Sequence, residues 1–201
     1  MTGEVTGHDW LHVCRVRKTA LKIAETEGPV DPFVINLASL LHDIADWKFC
    51  GGDIDAGANL AVEWLAGIGV DAKTLKHVRD IIANVSFKGA EVKSEMKTKE
   101  GMIVQDADRL DAIGAIGIAR AFAFGGYSGR GLYDPKRRPV KHKSFRAYQS
   151  SHSPTITHFY EKLLLLKGLL NTETAKKMAV KRHQFMEQFL EQFLAELNGS
   201  Q

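Results

Sequence analysis

The sequence predicts an all-α fold in a single domain, and three observations lead there. Apolar residues recur at three-and-four spacing along nearly the whole chain. No stretch alternates apolar and polar residues in the way a half-buried strand would, and no segment repeats. The composition, 44% hydrophobic and 25% charged over 201 residues, is that of a chain able to bury one core, which excludes disordered and collagen-like classes.

The elements follow in order. Val16, Ala20, Ile23 and Ala24 keep helical steps from about residue 9 to 27, where Gly28-Pro29 stops the run. Asp31-Pro32 reads as an N-cap with proline in the first turn, opening a helix to about Asp46. Phe33, Leu37, Leu40, Leu41 and Ile44 make that helix apolar on most sides, so it is expected to be central. A third helix spans about 55–66 and ends at Gly67 and Gly69, and Asp71 caps a fourth to about Asn84. The polar stretch 88–99 is a connector or the start of the next helix. Residues 99–124 read as one helix in which Ile103, Ala107, Leu110, Gly114, Gly117 and Ala121 share a side, the glycines admitting a close neighbour. The last two helices are expected over 152–170 and 172–197, the final one striped by Met178, Phe185, Phe189, Phe193 and Leu197.

Residues 125–151 break the pattern, being rich in glycine and proline and poor in apolar side chains. A connection this long in a compact domain is a functional lid or is disordered, and both remain open. It carries Arg130, Lys136, Arg137, Arg138, Lys141, Lys143 and Arg146 against one acid, Asp134, a local charge of +6 in a chain of net +3. The remainder is therefore −3. The overall charge is too mild to indicate a nucleic-acid partner. Cys14 and Cys50 form no C-x-x-C motif, and the first ten residues lack the basic-then-apolar pattern of a secretory signal. The expected location is cytoplasmic, with no membrane span.

Among eight histidines, His77, His158 and His183 are read as surface or capping groups, His142 and His152 belong to the long connection, and His8 is read as a cap of the first helix. His12, by contrast, continues the apolar stripe of Val16 and Ala20. His42-Asp43 closes the most apolar helix, where an unpaired carboxylate is costly. Asp108 and Asp111 lie three apart on a face continued by Ala115, Ile118 and Phe122. Each has a structural alternative: a core histidine, a His-Asp hydrogen bond, or an acid paired with Arg109 or Arg15. Taken together, imidazoles and carboxylates from three helices can meet around a cation, and the mixed donor set suits Mn²⁺, Fe²⁺, Zn²⁺ or Ni²⁺ better than Ca²⁺.

The order His12, His42-Asp43, Asp108 resembles the H…HD…D signature of the HD-domain superfamily of metal-dependent phosphohydrolases. The flanking residues are similar as well: His12-Val13-Cys14-Arg15-Val16, Leu40-Leu41-His42-Asp43-Ile44, Asp106-Ala107-Asp108-Arg109-Leu110-Asp111-Ala112, and His158-Phe159-Tyr160-Glu161-Lys162-Leu163-Leu164. The likeness is to a compact, bacterial-type branch and covers nearly the whole chain. It implies an HD-domain helical bundle over residues 1–201, with His12, His42, Asp43 and Asp108 as ligands of one divalent transition metal ion (Mn, Fe, Ni, Co or Zn, with Mg also admissible). No histidine falls in Ile82-Ala83-Asn84-Val85-Ser86-Phe87-Lys88, where multi-metal branches place a further ligand.

The resemblance also implies hydrolysis of a small phosphorylated substrate, a nucleotide, with (d)NTP to (d)NMP plus pyrophosphate as the preferred reaction. Asp46 or Asp111 would accept a proton or orient water. Lys48, Arg109 and Arg130 would meet developing negative charge. The alternatives are a nucleotide monophosphatase, a cyclic-nucleotide phosphodiesterase, and a non-catalytic metal- or nucleic-acid-binding regulator. A homodimer is compatible with all of these.

Overall fold

Asp9, Asp31, Asp71, Thr98 and Thr172 each stand before a helix and accept a hydrogen bond from its first-turn amides, satisfying donors for which the helix itself has no acceptor. In the computed structural model, which describes residues 7–45, 53, 55–92 and 95–200, the helices that follow these caps include α1 (Trp10–Ala24), α2 (Pro32–Leu41), α4 (Ala72–Val85), α5 (Lys99–Asp111) and α9 (Glu173–Leu197). Between them lie α3 (Ala56–Gly67), α6 (Gly114–Tyr127), α7 (Phe145–Gln149), α8 (Thr155–Glu161) and a 3₁₀ helix (Leu163–Leu169). No strand occurs among the described residues. Asp46 and Lys48 lie outside them.

α1 packs against both α2 and α5, α2 reaches α4 and α5, α3 lies on α4, and α9 closes the bundle against α6, α5 and the 3₁₀ helix. The shared core is built from Val16, Ala20 and Ile23 of α1, Ile35 and Ala38 of α2, Ile103, Val104, Ala107 and Leu110 of α5, and Phe159 of α8. α2 is central, as its composition predicts, although Phe33 at its start is exposed. No helix among the described residues is long and apolar enough to cross a membrane.

The structure departs from the sequence pattern in five places. α2 ends at Leu41, short of the expected end at about Asp46, and 42–45 form turns. The helix expected over 99–124 is two helices, α5 and α6. The chain turns at Gly114, whose φ of +78° places it in the left-handed region. A Cβ there would lie 3.0 Å from Arg182 Cβ of α9, and Arg182 Nη1 donates to the Leu110 carbonyl, capping the end of α5. At Gly117 a Cβ would fall 2.2 Å from the Ala112 carbonyl oxygen, so the close neighbour is the elbow itself rather than another helix. The helix expected over 152–170 is also split, with Lys162 ending α8 before the 3₁₀ helix.

On α9 the buried stripe is Ala175, Ala179, Met186 and Leu190. Phe189 and Phe193 flank it, whereas Phe185 and Leu197 are exposed. Finally, the segment 125–151 is folded rather than free. Its first residues complete α6, its last form α7, and the Thr155 and Ile156 amides donate to the Gly131 and Leu132 carbonyls at 3.0 Å each.

Candidate metal centre

α1, α2 and α5 meet along their apolar faces, and each brings a polar residue to the junction. His12 sits one turn into α1 with no exposed surface, His42 follows the last residue of α2, and Asp108 lies in the final turn of α5. The break after Asp111 ends α5 there, so its last turn can face the junction.

The donor atoms converge. His12 Nε2 lies 3.1 Å from His42 Nε2, 3.3 Å from Asp43 Oδ2 and 3.6 Å from Asp108 Oδ1. His42 Nε2 lies 3.7 Å from Asp43 Oδ2 and 3.8 Å from Asp108 Oδ1. His12, His42 and Asp108 form one group able to hold a metal ion, and His8, His12 and Asp43 form another that shares His12.

The other ring nitrogens decide what this cluster can hold. His42 Nδ1 lies 2.8 Å from the Ser39 carbonyl, which can only accept, so Nδ1 carries the proton. His12 Nδ1 lies 2.7 Å from Asp111 Oδ2. Burial would raise the Asp111 pKa, but hydrogen bonds from His12 and Arg15 hold it below the usual carboxylate range, so Asp111 is ionised and accepts. The two Nε2 atoms therefore face each other at 3.1 Å, a separation that a shared proton or a divalent ion between them satisfies. The residues fit a divalent ion, and buried outer partners on both rings are characteristic of metal-bound histidines. Without a metal a proton takes that place. Burial works against the His12 imidazolium, yet Asp111 and Asp43 outweigh it and raise its pKa to about 9. Asp43 is likewise held well below the usual range: burial opposes this, while His42, His12 and His8 supply the stabilisation.

Asp111 does not face the cluster with a free oxygen. Arg15 Nε donates to Oδ1 at 2.7 Å, and Arg15 Nη2 and Arg120 Nη1 donate to Oδ2 at 3.0 and 3.2 Å. This geometry orients His12 and engages Oδ2 with three donors, while Oδ1 accepts from Arg15 Nε alone. Arg109 is buried, its Nη1 donating to the Leu169 carbonyl and its Nε without a hydrogen-bond partner among the described residues. Arg130 donates from Nη2 to the Ser151 carbonyl at 3.2 Å, with its guanidinium 5.3 Å from the Phe124 ring centroid.

His8 is the residue the sequence reading misplaced. The cap of α1 is Asp9, whose Oδ1 accepts from the His12 amide at 2.8 Å, while His8 Nδ1 lies 2.8 Å from Asp43 Oδ2. An aspartate three residues before His12 is the stronger cap signal and would have released His8 for the cluster. His142, in the long connection as expected, is buried there, with Nε2 3.5 Å from Glu161 Oε2.

The cluster opens into a cavity of about 360 Å³. Its lining includes Asp43 and Asp108 of the cluster, the cations Arg109, Arg120, Arg130 and Lys162, and the aromatic Phe87 and Tyr148. Of the seven basic residues between 130 and 146, only Arg130 lines it. The other six are exposed.

The family model of the HD domain matches residues 10–113. The chain is 40% identical to Bacillus subtilis YpgQ over 187 residues, covering 92% of this chain and 82% of YpgQ. The crystal structure of YpgQ in complex with ADP superposes with a TM-score of 0.72 at 35% identity, over 98% of this chain and 93% of that one. A Lactobacillus plantarum protein superposes with a TM-score of 0.88 at 37% identity, covering 100% and 92%. An HD-superfamily hydrolase from Bacillus thuringiensis does so with a TM-score of 0.69 at 45% identity, covering 95% and 87%.

Proposed function

Because the chain belongs to the HD-domain family and is a metal-dependent hydrolase, we propose that its substrate is a small phosphorylated molecule, a nucleotide, cleaved from (d)NTP to (d)NMP and pyrophosphate. The observation that carries this reading is the pair of facing Nε2 atoms, 3.1 Å apart, in a cluster whose Asp43 and Asp108 line a cavity that is also lined by guanidinium groups. The ADP complex of the relative YpgQ supports the nucleotide.

His12, His42, Asp43 and Asp108 are assigned as protein ligands of one divalent ion. When bound, that ion supplies Lewis acidity toward a phosphoryl oxygen and toward water. Asp111 and the Ser39 carbonyl fix the two imidazole tautomers, so the lone pairs are aimed before substrate arrives. His8 holds Asp43 Oδ2 from the cavity side. Arg109 and Arg130 line the space a phosphate chain would occupy, and their cationic charge offsets the negative charge that develops on its oxygens. Asp46 and Asp111 are assigned to accepting a proton or orienting water, Asp111 also orienting His12, and Lys48 is assigned to substrate.

The test is a release screen over nucleoside mono-, di- and triphosphates and cyclic nucleotides, with Mn²⁺, Mg²⁺, Ni²⁺ and Co²⁺, scoring pyrophosphate and phosphate separately. Pyrophosphate with a monophosphate product is expected. Phosphate alone would indicate a phosphatase, a linear monophosphate from a cyclic substrate a phosphodiesterase, and no turnover with any metal would remove the enzymatic reading.

A further inference from the structure

The cations lining the cavity are not equivalent. Arg120 is committed to Asp111 and to the Gly7 carbonyl, Arg109 to the Leu169 carbonyl, and Arg130 to the Ser151 carbonyl. Lys162 is different: its ammonium has no hydrogen bond or ion pair to any described residue. It is held instead over two aromatic faces, with Nζ 5.6 Å from the Phe87 ring centroid and 5.9 Å from that of Tyr148.

The acid beside it is not available as a partner. Glu161 is buried, and its Oε1 accepts from the Val140 amide at 3.1 Å and from Ser153 Oγ at 2.9 Å, while Oε2 faces His142. The aromatic seat is itself fixed. Tyr148 packs edge-to-face on Phe87 at 5.3 Å and stacks on His158, one turn before Lys162, at 6.5 Å. A cation over aromatic faces is oriented by the ring quadrupoles without consuming its N–H donors. An ion pair would have neutralised the charge.

From this we infer that Lys162 is a further anion-binding cation of the cavity beside Arg109 and Arg130, contacting a phosphate group of the substrate, with Phe87 and Tyr148 as the seat that positions it. The inference rests on the phosphohydrolase reading and adds a residue to it. Phe87 belongs to the α4–α5 connection and Tyr148 to α7, within the basic segment. The folding of that segment therefore builds the seat, although six of its seven basic side chains point to solvent.

The experiment is calorimetric titration of the Mn²⁺-loaded protein with ADP and with inorganic pyrophosphate, for the wild type, Lys162→Met and Lys162→Arg. Methionine keeps an unbranched stem and removes the charge together with its N–H donors. Losing one charge-assisted hydrogen bond of about 1.5–3 kcal/mol corresponds to a roughly 10- to 100-fold weaker Kd for both anions, with bound Mn²⁺ and thermal midpoint unchanged. Lys162→Arg is expected to recover most of the loss, and nucleotide KM should rise in Lys162→Met more than kcat falls. Should Lys162→Met prove poorly folded, weakened anion binding in Phe87→Leu with Lys162 intact would carry the test.

Affinities within twofold of wild type for both anions would overturn the assignment while leaving the hydrolase reading intact. Weakening for ADP alone would also overturn it, by placing Lys162 at the base. A wild-type protein that binds neither anion and hydrolyses no phosphate ester would remove both.

Discussion

Asp111 Oδ2 lies 2.7 Å from His12 Nδ1, a contact between residues 99 apart in sequence that turns the buried imidazole's other nitrogen toward the donor cluster. Two arginines hold the same carboxylate, so the contact belongs to a network rather than a pair.

Asp111→Asn should therefore impair the centre without touching it. The amide can present a donor to Nδ1 and reverse the tautomer, and it leaves Arg15 and Arg120 facing a neutral group. Outer partners of metal-bound histidines are worth about 10- to 100-fold in metal affinity. A fall of that size in Mn²⁺ affinity by calorimetry is expected. Unchanged affinity would show that the tautomer is fixed elsewhere.

Asp108→Ala and His42→Ala should each abolish both bound metal and turnover, because removing one donor leaves the remaining ones without their common cation. Chelator treatment of the wild type should do the same reversibly, with activity returning on addition of a divalent ion. Metal content by elemental analysis and product release are the paired measurements. Full activity in metal-free Asp108→Ala would overturn the ligand assignment.

Metal uptake should release about one proton near pH 7.5. In the metal-free chain the His12 pKa is raised to about 9, so below that pH the ion must displace a proton from the imidazole. The sign for folding follows from the same shift. The stabilisation of the metal-free fold by His12 is fully present below about pH 6.5 and is lost as pH rises through about 9. Apparent metal affinity should thus strengthen as pH rises toward 9, and titrations in two buffers of different ionisation enthalpy measure the proton directly.

Asp106 tests the scaffold. It has no exposed surface, and its carboxylate accepts from the Asn171 amide, Asn171 Nδ2, the Thr172 amide and Thr172 Oγ, tying the start of α9 to α5. Asp106→Ala leaves these donors without an acceptor and should cost about 3 kcal/mol in urea unfolding. A loss under 1 kcal/mol would mean that water replaces the carboxylate.

Local chemistry made much of the protein legible in its sequence. Capping by Asp31 and Asp71, the apolar face of α1, and the His42-Asp43 pair in an apolar context are short-range signals, and they placed α1, α2 and α4, the first two of which carry cluster residues. The split of 99–124 was harder to read, since Gly114 and Gly117 fit a helical face as well as an elbow. What decided between them was Arg182, which lies on another helix. The α9 stripe was displaced for a related reason. Phe185 fits the period, but the neighbours α6 and the 3₁₀ helix take the face of Met186.

At the centre itself, residue type and order in the chain were enough to single out the imidazoles and carboxylates expected to meet. The chain order could not say which nitrogen of each ring faces inward, that Asp111 is enclosed by Arg15 and Arg120, that His8 turns to Asp43, or that Lys162 is left without an acid. Apart from Ser39 on His42 and Arg120 on Asp111, those are contacts between residues tens of positions apart. A helical period specifies which face of an element is buried, but the hydrogen-bond partner on that face is supplied by whichever other helix packs there.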